Sequence, residues 1–202
     1  MGKLVVTEFM TVDGVAQAPG GPDEDRDDGF THGGWQAPLL AQESGAAVFE
    51  QAKSMNALLL GRKTYEIFAG YWPTAPKEMP YTGLLNRIPK YVASQTLTEP
   101  LEWKGAELLA GDFAESVRAV KARHDEVHVI GSLDLVQSLL RCGLVDQLNL
   151  WQFPVLLGSG KRVFGNGTVP AALKLTQSAI HNNGTVQLTY EPVGVPTYGD
   201  FT

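Results

Sequence analysis

Two segments of this chain share one grammar, and no other feature narrows its fold as much. Leu58-Leu59-Leu60-Gly61-Arg62-Lys63-Thr64 and Val127-His128-Val129-Ile130-Gly131-Ser132 each run a short apolar stretch into glycine and then into a helix start. Short apolar runs that end at glycine read as strands buried on both faces, which places them in a sheet covered by helices. At such a junction the free amides of the first helical turn and the positive end of the helix dipole converge, and glycine lets an anion approach the backbone. Two of them suit a diphosphate. Every strand-to-helix turn shares this geometry, so Ser132 also reads as a plain N-cap. The first junction adds a guanidinium fork at Arg62 and a hydroxyl at Thr64, both suited to a phosphate.

The rest of the chain alternates in the same way. Strands are expected at Lys3 to Phe9, Ala57 to Gly61, Ile88 to Ser94, Glu107 to Leu109, Val127 to Ile130 and Val145 to Phe153, with helices at Pro38 to Ser54, Arg62 to Phe68, Phe113 to Arg123 and Ser132 to Cys142. Leu173 to Ser178 and Thr185 to Glu191 flank the turn His181-Asn182-Asn183-Gly184 and read as a terminal hairpin. The total is a βαβ-type α/β domain over 1–202 with antiparallel strands at its end. Between Ala16 and Gln36, Pro19, Gly20, Gly21, Pro22, Gly29, Gly33 and Gly34 exclude regular structure, and a loop of that length is usually functional or mobile. With no repeated unit, solenoids and propellers drop out. Ser94 ends the third strand at the same sheet edge as Gly61 and Gly131, where open α/β sheets bind ligands.

Composition bounds the function classes. At 202 residues, 44% hydrophobic and with net charge −6, the chain is expected to form a soluble, cytoplasmic domain that binds neither nucleic acid nor membrane. No apolar run is long enough to span a bilayer, and Glu8 interrupts the first one before a secretory segment could form. The lone Cys142 excludes an internal disulfide and any cysteine-built metal site. Residues 1–50 carry two basic side chains against nine acidic ones. Asp23-Glu24-Asp25-Arg26-Asp27-Asp28-Gly29 imitates a calcium loop but lacks its glycine and glutamate positions, so it reads as a solvated acidic loop. His124-Asp125-Glu126-Val127-His128 imitates a zinc-protease helix but overlaps a strand. No metal site is expected. Leu157-Gly158-Ser159-Gly160-Lys161 is a tight turn with an anion-facing side rather than a nucleotide loop.

At this point the motifs resemble a known family. Leu60-Gly61-Arg62-Lys63-Thr64-Tyr65-Glu66 is similar to the cofactor turn of dihydrofolate reductases. Ile130-Gly131-Ser132 through Leu140, then Gly143-Leu144-Val145-Asp146-Gln147, Pro154 to Gly158 and Arg162-Val163-Phe164, resemble the reductase domain of bacterial riboflavin deaminase-reductases. Thr11-Val12-Asp13-Gly14 completes the order of motifs over nearly the whole chain. The resemblance implies a dihydrofolate reductase-like three-layer fold with a central, mostly parallel sheet, and NADPH as cofactor. By motif position, Gly61, Arg62, Lys63 and Thr64 would hold the adenosine side and its phosphates and Ser94 the 2′-phosphate neighbourhood. Gly131, Ser132, Leu133 and Leu135 would hold the diphosphate and nicotinamide ribose, with Ala16 flanking the nicotinamide.

The chain departs from its relatives at informative places. Ser132 stands where they carry a second glycine, and Val15 where the riboflavin enzymes carry a basic residue after Asp-Gly. Gly45 stands where dihydrofolate reductases carry their acid, which speaks against folate. The zinc deaminase motif is absent from the sequence. The expected activity is an NADPH-dependent reductase of a small heterocyclic or ribosyl-imine substrate, nearest to 5-amino-6-(5-phosphoribosylamino)uracil reductase. The alternatives are a non-catalytic NADPH-binding or sensing protein and a dihydrofolate or pterin reductase. Asp13 is the candidate catalytic residue, as a carboxylate for an amino heterocycle. Trp35 is a candidate to stack on the substrate and Tyr71 to line the same cleft, with a turn residue, a core anchor and a sheet cover as their structural readings. Leu148 to Phe153, read as an exposed apolar strand with Trp151, predicts a homodimer.

Overall fold

A computed structural model describes residues 2–40 and 42–201. Of the expected domain 1–202, Met1, Ala41 and Thr202 lie outside the described residues. In chain order the elements are β1 (Lys3–Thr11), α1 (Gln42–Ala52), β2 (Ala57–Gly61), α2 (Arg62–Tyr71), α3 (Pro80–Arg87), β3 (Lys90–Ala93), β4 (Ala106–Leu108), α4 (Phe113–Arg123), β5 (Glu126–Ile130), α5 (Leu133–Arg141), β6 (Gln147–Phe153), β7 (Ala172–Ile180) and β8 (Val186–Gly194). The eight strands form one sheet in the order β4-β3-β2-β5-β1-β6-β8-β7. Pairings from β4 to β6 are parallel, and β8 joins β6 and β7 antiparallel. This is the expected mostly parallel sheet with a C-terminal antiparallel hairpin.

Both faces of the sheet are covered because its central strands are apolar at odd and even positions alike. Leu4, Val6, Leu59, Val127 and Val129 point to one face, where Val117 and Val120 of α4 and Leu135, Val136 and Leu139 of α5 pack on them. Leu58, Leu60 and Val92 point to the other face, against Ala52 of α1, Tyr65 of α2 and Leu84 and Leu85 of α3. Of α2, α3, α4 and α5, only α4 starts on a side-chain cap, and Ser132, which reads as an N-cap, makes no capping bond at α5. Asp112 caps α4 by accepting the Glu115 amide at 3.0 Å. None of the helices is long and apolar enough to cross a membrane, among the described residues.

Three expectations are corrected here. The helix expected from Pro38 starts at Gln42, because Ala37–Leu39 closes a separate 3-10 turn. The helix α3 was not expected, although Tyr81, Leu84, Leu85 and Ile88 are spaced for one apolar face; eight residues between two proline-rich turns give a short signal. Leu148 to Phe153 is not an exposed strand. It lies inside the sheet between β1 and β8, with Leu148, Leu150, Trp151 and Phe153 all buried. The edges of the sheet are β4 and β7, and on β7 Leu173, Leu175 and Ile180 are exposed.

Candidate functional site

The register of the strands opens a crevice at their carboxyl ends. β2 pairs with β5 only at Ala57↔Val127 and Leu58↔His128, so the two strands separate before Gly61 and Gly131 are reached. On the other side, β1 pairs with β5 as far as Thr7↔Ile130 and then continues with only β6 beside it, to Thr11↔Phe153. The cleft that results has a volume of ≈ 1150 Å³. Of the ten residues expected there from motif position, Ala16, Gly61, Arg62, Lys63, Thr64, Gly131, Ser132, Leu133 and Leu135 line it and Ser94 does not.

The two strand-to-helix junctions face each other across this cleft. Gly61 N donates to Ser132 Oγ at 2.9 Å. A Cβ on Gly61 would sit 3.4 Å from the Ser132 side chain, an ordinary van der Waals contact, so the two junctions lie against each other. Gly131 and Ser132 both take left-handed backbone, with φ of 66° and 64°. That conformation is routine for glycine and strained for serine, and it turns successive amides toward the start of α5. The geometry therefore fits a diphosphate, with glycine-lined backbone, two helix starts and the Arg62 side chain at one end.

A flap formed by residues 16–36 covers the end of the cleft at Lys63. Trp35 anchors it: the indole is 7% exposed, its Nε1 donates to Gln17 O at 2.9 Å, and its ring meets Phe153 edge-on at 5.8 Å. The acidic segment is not merely solvated. Asp25 accepts from Lys63 and from Lys161, each at 2.8 Å, and Asp27 pairs with the same two lysines. Burial alone would raise the Asp25 carboxyl, but the hydrogen bonds from Lys161 and Lys63 outweigh it and hold the group at about 2. The flap thus places two carboxylates on cations at the cleft, one of them the expected phosphate ligand Lys63.

The opposite end is aromatic. Phe49, Phe68, Trp72, Met79 and Tyr81 line it. Phe49 meets Tyr81 edge-on at 5.6 Å, and Phe68 meets Trp72 at 6.1 Å. The Tyr81 hydroxyl donates to Val48 O at 3.3 Å, which leaves its ring as the surface offered to a ligand.

Four expected site residues lie elsewhere. Asp13 faces the turn at Leu157-Gly158, whose amides donate to its carboxylate at 3.3 and 2.8 Å, and it accepts from Thr11 Oγ1 at 2.5 Å. The Thr11 hydroxyl is the main reason its carboxyl is lowered to about 2. The anion that this turn faces is the chain's own Asp13. Trp35 is the flap anchor and does not line the cleft. Tyr71 packs edge-on against Trp72 at 5.1 Å from the solvent side. Ser94 Oγ accepts from Thr96 N and Leu97 N at 3.1 and 3.0 Å and closes its own loop.

Phe49, Phe68, Met79 and Tyr81 were missed as cleft residues, and so was one ionisable side chain. Glu8, near the end of β1, lines the cleft and is 2% exposed, and its Oε1 has no hydrogen-bond partner. In sequence it only interrupts an apolar run. The available signal was its place near the carboxyl end of a strand expected to be covered on both faces.

This architecture can be compared with known proteins. The model of the RibD C-terminal domain matches residues 2–187. The chain belongs to this family. The uncharacterized protein YyaP of Bacillus subtilis (strain 168) is 27% identical over 140 residues, which are 67% of this chain and 73% of that protein. A putative riboflavin biosynthesis protein from Shewanella sp. PV-4 superposes with TM-score 0.66 at 21% identity, covering 94% of this chain and 98% of the other. The diaminohydroxyphosphoribosylaminopyrimidine deaminase/5-amino-6-(5-phosphoribosylamino)uracil reductase of Thermotoga maritima superposes with TM-score 0.63 at 16% identity. That match covers 95% of this chain and 56% of the Thermotoga protein. At these identities the two structures share the fold with this family member, whose cleft residues must carry the functional argument.

Proposed function

We propose that this RibD C-terminal domain protein is a cytoplasmic NADPH-dependent reductase of a small heterocycle. The observation that carries the reading is the meeting of the two glycine junctions, Gly61 N on Ser132 Oγ at 2.9 Å, at one end of a cleft whose other end is an aromatic compartment. Gly61, Thr64 and the Gly131–Leu135 segment would hold the diphosphate and its ribose, and Ala16 with Leu133 the nicotinamide end. Arg62, whose guanidinium is half exposed and only loosely paired with Glu66 at 3.4 Å, is the group for the 2′-phosphate in place of Ser94. Bound NADPH supplies a hydride. The aromatic walls then exclude water and hold a flat acceptor against the nicotinamide, which is where positioning contributes most of the rate.

The acceptor compartment carries no cation among Phe49, Phe68, Trp72, Met79 and Tyr81, and Val15 replaces the basic residue of the riboflavin enzymes. An uncharged planar heterocycle fits this compartment better than the phosphoribosyl substrate named for the Thermotoga enzyme. Two copies would join through the exposed β7 edge, with Leu173 and Leu175 between them.

The flap supplies the experiment. Asp25 and Asp27 compete with the cofactor phosphates for Lys63, so Asp25→Asn/Asp27→Asn should bind NADPH about tenfold more tightly at low ionic strength. The gain should shrink as salt screens these half-exposed groups. Fluorescence titration of both proteins checks this, and absence of NADPH binding to either overturns the reading.

A further inference from the structure

We propose that Glu8, as a neutral carboxylic acid, binds the carboxamide of the nicotinamide ring and so determines which pyridine nucleotide the cleft accepts; the inference rests on the NADPH reading above. The alternation of β1 places Glu8 on the face of Leu4, Val6 and Met10, beneath α4 and α5. The aromatic compartment lies on the opposite face, with α1, α2 and α3. Glu8 is therefore turned toward the cofactor end of the cleft, away from the acceptor.

Its position along the strand agrees. Thr7 is the last β1 residue paired with β5, and Gly131 N donates to Thr7 O at 3.3 Å. Glu8 thus follows where β5 has ended, beside the Gly131–Ser132 turn. Two residues further along the same face, Met10 packs with Ala16 and Leu133, the pair that flanks the nicotinamide end.

A buried polar atom with no partner calls for an explanation. No hydrogen bond or ion pair reaches the Glu8 carboxyl among the described residues, and its β6 neighbour is Leu150. Burial is the whole cause that pushes the carboxyl up to about 8. The charged groups around the cleft are engaged elsewhere: Lys63 and Lys161 hold Asp25 and Asp27, and Arg62 faces Glu66. Glu24 accepts the amides of Gly20 and Gly21, Glu50 pairs with Lys53, and on β5 Glu126 bonds His128. The remaining titratable groups of the lining, Asp134 at the start of α5 and Tyr81 on α3, make no bond to Glu8 either.

A neutral carboxyl presents one donor and one acceptor side by side, and a primary carboxamide presents the same two in complement. Each satisfies the other. An ionised carboxylate loses the donor and would face the amide oxygen with its own charge, so the match exists only while Glu8 keeps its proton.

The test is a binding titration of the native protein, Glu8→Gln and Glu8→Leu with NADPH and with its reduced 3-acetylpyridine analogue, which lacks the amide nitrogen. It is run at about pH 6.5 and about pH 9.5, on either side of the Glu8 transition. The native protein should prefer NADPH over the analogue by about tenfold at the lower pH, and at the higher one both dinucleotides should bind more weakly, because the ionised carboxylate can no longer donate to the carbonyl oxygen that both carry. Glu8→Gln, whose amide also donates and accepts, should keep the preference at both. Glu8→Leu should lose it at both. A native NADPH affinity that falls no more than that of Glu8→Gln at the higher pH, or a preference that Glu8→Leu leaves intact, overturns the inference, and the first criterion holds even should the leucine variant fail to fold. Equal binding of both dinucleotides overturns this inference alone. Failure of the native protein to bind either overturns the NADPH reading, and this inference with it.

Discussion

Between pH 5 and pH 8 the native chain should lose about 4 kcal/mol of stability relative to Glu8→Gln, the share that belongs to this one group. The sign follows from where the proton sits. Below the ordinary value of 4.5 the carboxyl is protonated in both folded and unfolded chains, and above about 8 it is ionised in both. Between them the folded chain keeps a proton that the unfolded chain releases, so each step up in pH favours unfolding. Glutamine fills the same space without titrating. Urea midpoints of the two proteins across this range measure the difference directly. The comparison also cancels Lys90, whose buried ammonium, donating to Lys104 O at 3.0 Å, is pushed down to about 8 by its own burial. Parallel curves for the two proteins would show that water reaches Glu8 in the free protein and that the carboxyl is not held neutral.

The second large effect is expected at Trp35. Its replacement by alanine should destabilise the chain by about 3 kcal/mol in the absence of any ligand, because a buried aromatic ring is lost from the contact with Phe153 and a cavity remains. Trp35→Phe should recover most of that and lose about 1 kcal/mol, the cost of leaving the Gln17 carbonyl without its indole donor. A residue that served only to stack on a substrate would show the reverse, with unchanged thermal stability and weakened substrate binding. Because Gln17 also bonds Asp25 O, Asp27 O and Lys161 N, loosening Trp35 should release the acidic segment from its lysines.

Trp35 and Glu8 also show where sequence reasoning stops. The junctions at Gly61 and Gly131 are legible because each is local: apolar run, glycine and helix start are contiguous, and the sheet needs only to be parallel for both to reach one edge. The succession of the strands along the chain and the terminal hairpin follow from the same short-range signals, whereas their order in the sheet does not. Trp35 sits in a loop, where no periodicity assigns a side to a ring, so a core anchor and a cleft wall look alike. Asp13 and Ser94 carry side chains suited to a ligand, yet each is consumed by backbone amides close at hand, at Gly158 and at Leu97. Leu148 to Phe153 looks exposed only until β8 is known to return beside it, a pairing some 40 residues away along the chain. Glu8 is the opposite case. A charged residue in a strand suggests solvent, and only the arrival of β6 and α5 turns the position into a buried one.

The most direct measurement is the fluorescence titration of the native protein and Arg62→Ala with NADPH and with NADH. The two-junction cleft predicts saturable NADPH binding that Arg62→Ala weakens about tenfold, with NADH weaker and indifferent to the substitution. Equal affinity for the two nucleotides in both proteins, or binding of neither, would contradict it.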